Sequence, residues 1–155
     1  MKFLCDQMLG TLAKWLRIFG FDTFYANAEI SDEDLLQVAK KENRIVITRD
    51  KQLIRIGRKE DLQVIGVTST DIDEQLRHVL IDVKIDETAV LSRCSLCNTV
   101  LDKINKNAVK DKVPERVFNN NDTFWFCPKC NKIYWMGSHY DKMIKKINMV
   151  KNSQK

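Results

Sequence analysis

Apolar runs of three or four residues alternate with amphipathic stretches over residues 1–83, and this alternation predicts a parallel sheet covered by helices. Residues 3–5 read as a first strand. A helix over 8–19 follows, because Met8, Leu9, Leu12, Trp15, Leu16 and Phe19 recur at steps of three and four, with Gly20 as its stop. Residues 23–25 form a second strand. Ser31 is then placed as the N-cap of a helix over Leu35, Leu36, Val38 and Ala39, with Asp34 able to reach back. The run Ile45-Val46-Ile47 is apolar and β-branched throughout, which predicts a central strand buried on both faces. A short helix through Leu53 and Ile54, a strand over 64–67 and a helix over 71–80 complete this half.

The pattern changes after a connector at 83–92. Cys94-x-x-Cys97 and Cys127-x-x-Cys130 put four soft ligands on two turns, the set of a tetrahedral structural zinc. Each pair is followed by an asparagine, Asn98 or Asn131, where a knuckle wants a residue tolerant of left-handed backbone. Two disulfides, disfavoured in a reducing compartment, and a redox Cys-x-x-Cys, which would need only one pair, are the competing readings. Phe124-Trp125-Phe126 leads into the second pair and Ile133-Tyr134-Trp135-Met136 leads out, a hairpin centred on the metal. Met143, Ile144, Ile147 and Val150 share one face of a terminal helix that docks on the body. The chain thus divides into residues 1–83, an α/β unit, and 92–150, a zinc ribbon with a basic helix. Cys5, on the first strand, reads as a small core residue.

Charge separates the same two parts. Residues 1–92 carry 13 Lys/Arg and 16 Asp/Glu, net −3, whereas residues 93–155 carry 13 and 5, net +8. An acidic half suited to cations precedes a basic half suited to polyanions. No apolar run approaches the ~20 residues of a membrane span. Asp6 and Lys14 interrupt the start, so no signal-peptide core is present and the expected compartment is the cytoplasm.

Ligands of an open α/β sheet bind beyond the carboxyl ends of its strands. Asp6 ends the first strand, Asp50 the third, and Asp32 and Asp71 open the helices after the second and fourth, so connectivity alone sends all four to one edge. Converging carboxylates repel unless a cation such as Mg²⁺ or Mn²⁺ joins them, and such a centre activates water against a phosphodiester. Acids in first helical turns also serve as caps, which by itself accounts for Asp71, with Thr70 as a possible cap and Asp73 completing a box. Asp6 and Asp50 directly follow apolar strands, where a carboxylate needs solvent, a partner or a metal.

The runs Phe3-Leu4-Cys5-Asp6-Gln7-Met8-Leu9-Gly10, Leu12-Ala13-Lys14-Trp15-Leu16-Arg17, Gly20-Phe21-Asp22, Ser31-Asp32-Glu33 and Thr48-Arg49-Asp50 resemble a PIN-like nuclease. With Phe124-Trp125-x-Cys127-Pro128-x-Cys130 and Tyr134-Trp135-x-Gly137-Ser138-His139, the chain resembles the Mut-seven C-terminal RNase-domain family over residues 2–143. That resemblance implies a PIN-like three-layer α/β fold, mostly parallel, fused to a zinc ribbon. It implies Asp6, Asp32 and Asp50 as catalytic acids holding Mg²⁺ or Mn²⁺, and Lys14, Arg17 and Arg49 as candidates to meet phosphate. Gln7 stands where the family often has a basic residue, and Asn131 where glycine is usual.

The function expected is a divalent-metal-dependent endoribonuclease, with RNA as partner. Trp125, Tyr134 and Trp135 could stack bases while Lys129 and Lys132 meet phosphates. A catalytically inactive RNA- or ribosome-binding module is the alternative. A phosphoacceptor receiver would place its aspartate at Asp50, but would also want an acidic pair after strand one and a Lys-Pro after strand five; only Asp6 is present, and residues 1–92 contain no proline.

Overall fold

Alternation of side chains along each strand sorts the core into two layers, one on either side of a parallel sheet. The computed structural model describes residues 1–154. Strands β1 (Lys2–Cys5), β2 (Asp22–Tyr25), β3 (Ile45–Thr48) and β4 (Val64–Gly66) lie in the order β2-β1-β3-β4, every pair parallel. Phe3, Cys5 and Ile47 point to one face, against α1 (Gly10–Ile18) and α4 (Ile72–Val79). Leu4 and Val46 point to the other, against α2 (Asp32–Glu42) and α3 (Lys51–Lys59). The result is three layers, α/β/α, with β1 and β3 buried on both faces as their unbroken apolar runs require.

Local chemistry sets the element ends. Ser31 caps α2, its hydroxyl accepting from Asp34 N at 3.1 Å. The helix expected over 8–19 starts differently: residues 7–9 form a 3-10 turn capped by Asp6, and α-helix begins at Gly10. Gly20, at φ 96°, ends that helix and lies so close to Ala89 that a Cβ would come within 2.5 Å of its carbonyl oxygen. On α4 the cap is Asp71 itself, as capping accounted for that acid in the sequence, and it accepts from Asp73 N at 2.9 Å; Thr70, the other possible cap, is not used.

The basic half builds a second, three-stranded antiparallel sheet from β5 (Asp102–Ile104), β6 (Phe124–Cys127) and β7 (Lys132–Trp135). Between β5 and β6 runs a short helix, α5 (Glu115–Asn120), which buries no residue and so has no apolar periodicity to announce it. Helix α6 (Ser138–Ser153) returns to the first half, where Ile147 and Val150 are fully buried in the same cluster as Phe3 and Leu16. Gln154 holds its end, donating to Val83 O at 2.8 Å. No described helix is long and apolar enough to cross a membrane.

Candidate functional site

The sheet order makes the crevice. From β1 the chain crosses to β2 on one side, and β3 and β4 lie on the other, so the connections diverge beyond the carboxyl ends of β1 and β3. Asp6 follows β1 and Asp50 follows β3. Between them stands Thr48, the buried last residue of β3, whose hydroxyl donates to Asp6 Oδ2 at 2.9 Å and accepts from Asp50 N at 3.0 Å. Asp6 Oδ1 accepts from Gln7 N at 2.7 Å, and Asp50 Oδ1 from Gln52 N at 2.8 Å and Leu53 N at 3.3 Å. The turn after β1 is further pinned by Tyr25, whose hydroxyl donates to Gln7 O at 2.5 Å. Thr48 and Tyr25 were not singled out from sequence. A polar residue closing an apolar strand two places before an acid was the available signal for Thr48.

Every donor to these carboxylates is neutral. Among the described residues, Asp6, Asp32, Asp50 and Asp71 enter no salt bridge. Asp32 is exposed in the first turn of α2, and Asp71 is spent as the cap of α4. The four-cysteine set is the one described group of three or more His, Cys, Asp or Glu residues close enough to share an ion, so Asp6, Asp32 and Asp50 are not gathered that tightly. The pair flanking Thr48 nevertheless fits a hard cation by donor chemistry, offering oxygen ligands with uncompensated charge.

Lys14 is exposed and Arg49 half-buried, and neither joins a salt bridge among the described residues. Arg17 is a correction. Expected as a candidate to meet phosphate, it is instead 7% exposed and engaged with backbone carbonyls, with Nε donating to Thr23 O at 2.9 Å and Nη1 to Ser95 O and Leu96 O at 3.1 Å each. Its position four residues after buried Ala13 puts it on the core-facing stripe of α1, a signal legible in the sequence.

The four cysteine sulfurs all lie within 4.8 Å of one another, with Cys97 and Cys127 Sγ 3.4 Å apart and no disulfide formed. A tetrahedral site with Zn–S near 2.3 Å has edges of about 3.8 Å, so the cluster is of the right size for a metal such as zinc. Both knuckles turn through left-handed asparagines, Asn98 at φ 72° and Asn131 at φ 56°, whose N–H groups donate back to Cys94 O at 2.9 Å and Cys127 O at 2.8 Å. Burial works against ionising Cys97, yet its hydrogen bonding with Thr99 prevails and holds the thiol down to about 6. Cys130 is pushed up to about 12, first by its hydrogen bond to the Cys97 sulfur and then by burial. Crowded sulfurs cannot all ionise unaided, and a divalent cation allows it.

The geometry defines an α/β protein with a parallel four-stranded sheet, an acid-bearing strand edge and a four-cysteine cluster that could hold a metal such as zinc. A model of the Mut7-C RNAse domain family matches residues 1–147, and the chain belongs to that family. The family's name denotes ribonuclease activity, so nucleic acid is the partner class. No curated protein and no solved structure matches the chain.

Proposed function

We propose that this protein is a divalent-metal-dependent endoribonuclease of PIN-like fold, with Asp6, Asp32 and Asp50 as the acids of its centre. The observation that carries the reading is the pair Asp6 and Asp50 at the ends of adjacent parallel strands, bridged by Thr48 and paired with no Lys or Arg among the described residues. Bound Mg²⁺ or Mn²⁺ would supply activation of water and charge stabilisation at the departing oxygen. The chain's own contribution is positional. Thr48 and Gln7 N fix the Asp6 carboxylate, Gln52 N and Leu53 N fix that of Asp50, and Lys14 and Arg49 supply positive charge for the phosphate. Zinc in the Cys94, Cys97, Cys127 and Cys130 set is structural, and the ribbon of residues 92–150 grips RNA while residues 1–83 cut it.

The test is cleavage of labelled RNA and DNA with Mn²⁺ or Mg²⁺, wild type against Asp6→Asn. Metal-dependent internal cuts in RNA, lost in the variant, are expected; cleavage equal in Asp6→Asn would refute the assignment. One observation favours a second reading, an inactive RNA- or ribosome-binding module: Asp50 and Asp71 already serve as helix caps. Tight RNA binding without cleavage under any metal would select it.

A further inference from the structure

Two adjoining hollows lie along α6. The first, about 650 Å³, is set between the ribbon, α5 and the start of α6, and among its lining residues are Arg116, Lys132, Tyr134, Trp135, Gly137 and His139. Its lining contains no Asp or Glu. The second, about 510 Å³, shares His139 and Met143 with the first and continues past Trp15, Lys142 and Lys145 to Asp73, in the first turn of α4. Asp73 is its sole lining acid and is paired with Lys146, which also stands 4.8 Å over the Trp15 ring.

The position of this trough matters. Ser95 and Leu91, in the wall of the first hollow, are tied to the far end of α1 through Arg17 Nη1 and through Leu91 N to Ile18 O at 3.0 Å. That end is opposite the Asp6 edge, because Asp22, beside the knuckle, is in register with Lys2. Four strand residues separate the two levels, about 13 Å at ~3.3 Å per residue. The second hollow leads back, since the start of α4 lies at the carboxyl edge.

Resting on the ribonuclease reading above, we propose that this trough is the track of single-stranded RNA, anchored by a nucleotide in the ribbon cleft several nucleotides from the bond to be cut. A base can stack on the Trp135 ring and phosphates can meet Arg116 and Lys132, the combination by which single strands are held without sequence choice. Arg116 is exposed and in no ion pair among the described residues, and Lys132 lies 5.1 Å over the Tyr134 ring. Gly137 lets the Trp135 indole close on the helix start, since a Cβ there would lie 2.8 Å from Trp135 Nε1. An acidic protein segment would match the charge but not the aromatic rings.

The experiment compares fluorescein-labelled oligouridylates of 4 and 12 nucleotides by anisotropy, on zinc-replete protein without added Mn²⁺ or Mg²⁺. Wild type is expected to bind the 12-mer at least tenfold tighter. The exposed double variant Arg116→Glu/Lys132→Glu should lose that gain and lower the slope of log affinity against log salt by about 1.4, at ~0.7 per phosphate contact on a single strand. Trp135→Leu, checked for unchanged zinc content, should weaken 12-mer binding by about tenfold. Wild-type affinity in both variants, or competition by polyglutamate as effective as by RNA, overturns the proposal. Failures are separable by cleavage with Mn²⁺. Length-dependent binding with no cleavage by wild type refutes the nuclease reading and upholds the track. Cleavage abolished by Asp6→Asn, but with the same length dependence in the double variant as in wild type, upholds the nuclease and refutes the track.

Discussion

Asp22 and Asp6 lie on neighbouring strands of one sheet, about 13 Å apart along the strand direction, and their surroundings are opposite in kind. Asp22, at the amino end of β2, has Arg44 Nη1 at 2.8 Å, Asn98 Nδ2 at 2.7 Å and Arg93 Nη2 at 3.9 Å. Although its burial works the other way, these partners hold its carboxyl below the usual carboxylate value of 3.8. Asp6, at the carboxyl end of β1, receives only the Gln7 N–H and the Thr48 hydroxyl. Both carboxylates are fixed, but only one has its charge matched. An aspartate ringed by guanidinium groups is holding elements together, whereas one oriented by neutral donors keeps its charge available to a ligand. The amino end is where the ribbon docks; the carboxyl end is where chemistry is proposed.

Metal removal should produce the largest effect, because the free energy of a closed thiolate site is folding free energy, on the order of 10 kcal/mol. Stripping zinc, or Cys127→Ser, should unfold the ribbon and loosen the amino end with it, since Thr23 N donates to Asn98 Oδ1 at 3.0 Å and Arg17 spans to Ser95 and Leu96. Hydrogen exchange should show the Thr23 amide losing protection and regaining it when zinc returns. Full protection of Thr23 in the stripped protein would mean that the two parts do not lean on one another.

Next come the unmatched acids. Asp6→Asn and Asp50→Asn should each cut RNA hydrolysis about a hundredfold or more, about 2.7 kcal/mol of barrier. Melting temperature should barely move, because asparagine caps a helix as well as aspartate does. Variants that melt early yet cleave normally would place Asp6 and Asp50 with Asp22, as structural acids.

Sequence alone carried most of the α/β half, and the reasons are local. Strands such as Ile45-Val46-Ile47 and the helix over Leu35, Leu36 and Ala39 have the period of the surface they bury, so pattern and fold agree. The four cysteines declared themselves by spacing. Residues 98–126 did not, because β5 and α5 bury almost nothing and their lysines and asparagines follow no period. The amino end was harder still. Asp22, Arg44 and Asn98 lie 22 and 76 residues from one another in pairs that no spacing rule predicts, and meet only once β2 is placed beside the first knuckle. Linear connectivity brings Asp6 and Asp50 to one edge, and the sequence marks Thr48 only as a polar residue closing an apolar strand; that its hydroxyl bridges the two acids is visible only in three dimensions.

A smaller effect is expected at Asp22, with the opposite signature. Asp22→Asn should lower stability by about 2 kcal/mol at neutral pH, leaving the Arg44 guanidinium buried with less negative charge opposite it. Cleavage per folded molecule should be retained. Because the folded-state pKa is depressed, the contribution of Asp22 is fully present above its ordinary value of 3.8 and is lost as pH falls through the lower folded value. Acid titration of stability should therefore steepen below about pH 4 in wild type and flatten there in Asp22→Asn. Parallel acid limbs for the two proteins would remove Asp22 as the charge-matched member of the pair.

The smallest effect separates two residues that the sequence writes identically. Asn98 and Asn131 each follow the second cysteine of a knuckle and each adopt left-handed backbone, at φ 72° and φ 56°. Glycine accepts that backbone, so replacing either asparagine by glycine tests the side chain alone. Asn131 is exposed, and its Asn131→Gly variant should change stability by no more than a few tenths of a kcal/mol. Asn98 bonds both Asp22 Oδ1 and Thr23 N, covering an outward N–H on the edge strand of the sheet. Asn98→Gly should therefore cost about 1–2 kcal/mol, less than two fully buried hydrogen bonds would be worth because both are only part-buried and water can reach the freed groups. The two variants should bind zinc alike, because neither supplies a sulfur. Urea unfolding of both, with zinc content measured beside it, decides the matter: equal midpoints would mean that the first knuckle hangs from the amino end without supporting it, while a loss confined to Asn98→Gly ties that end to the ribbon through one side chain.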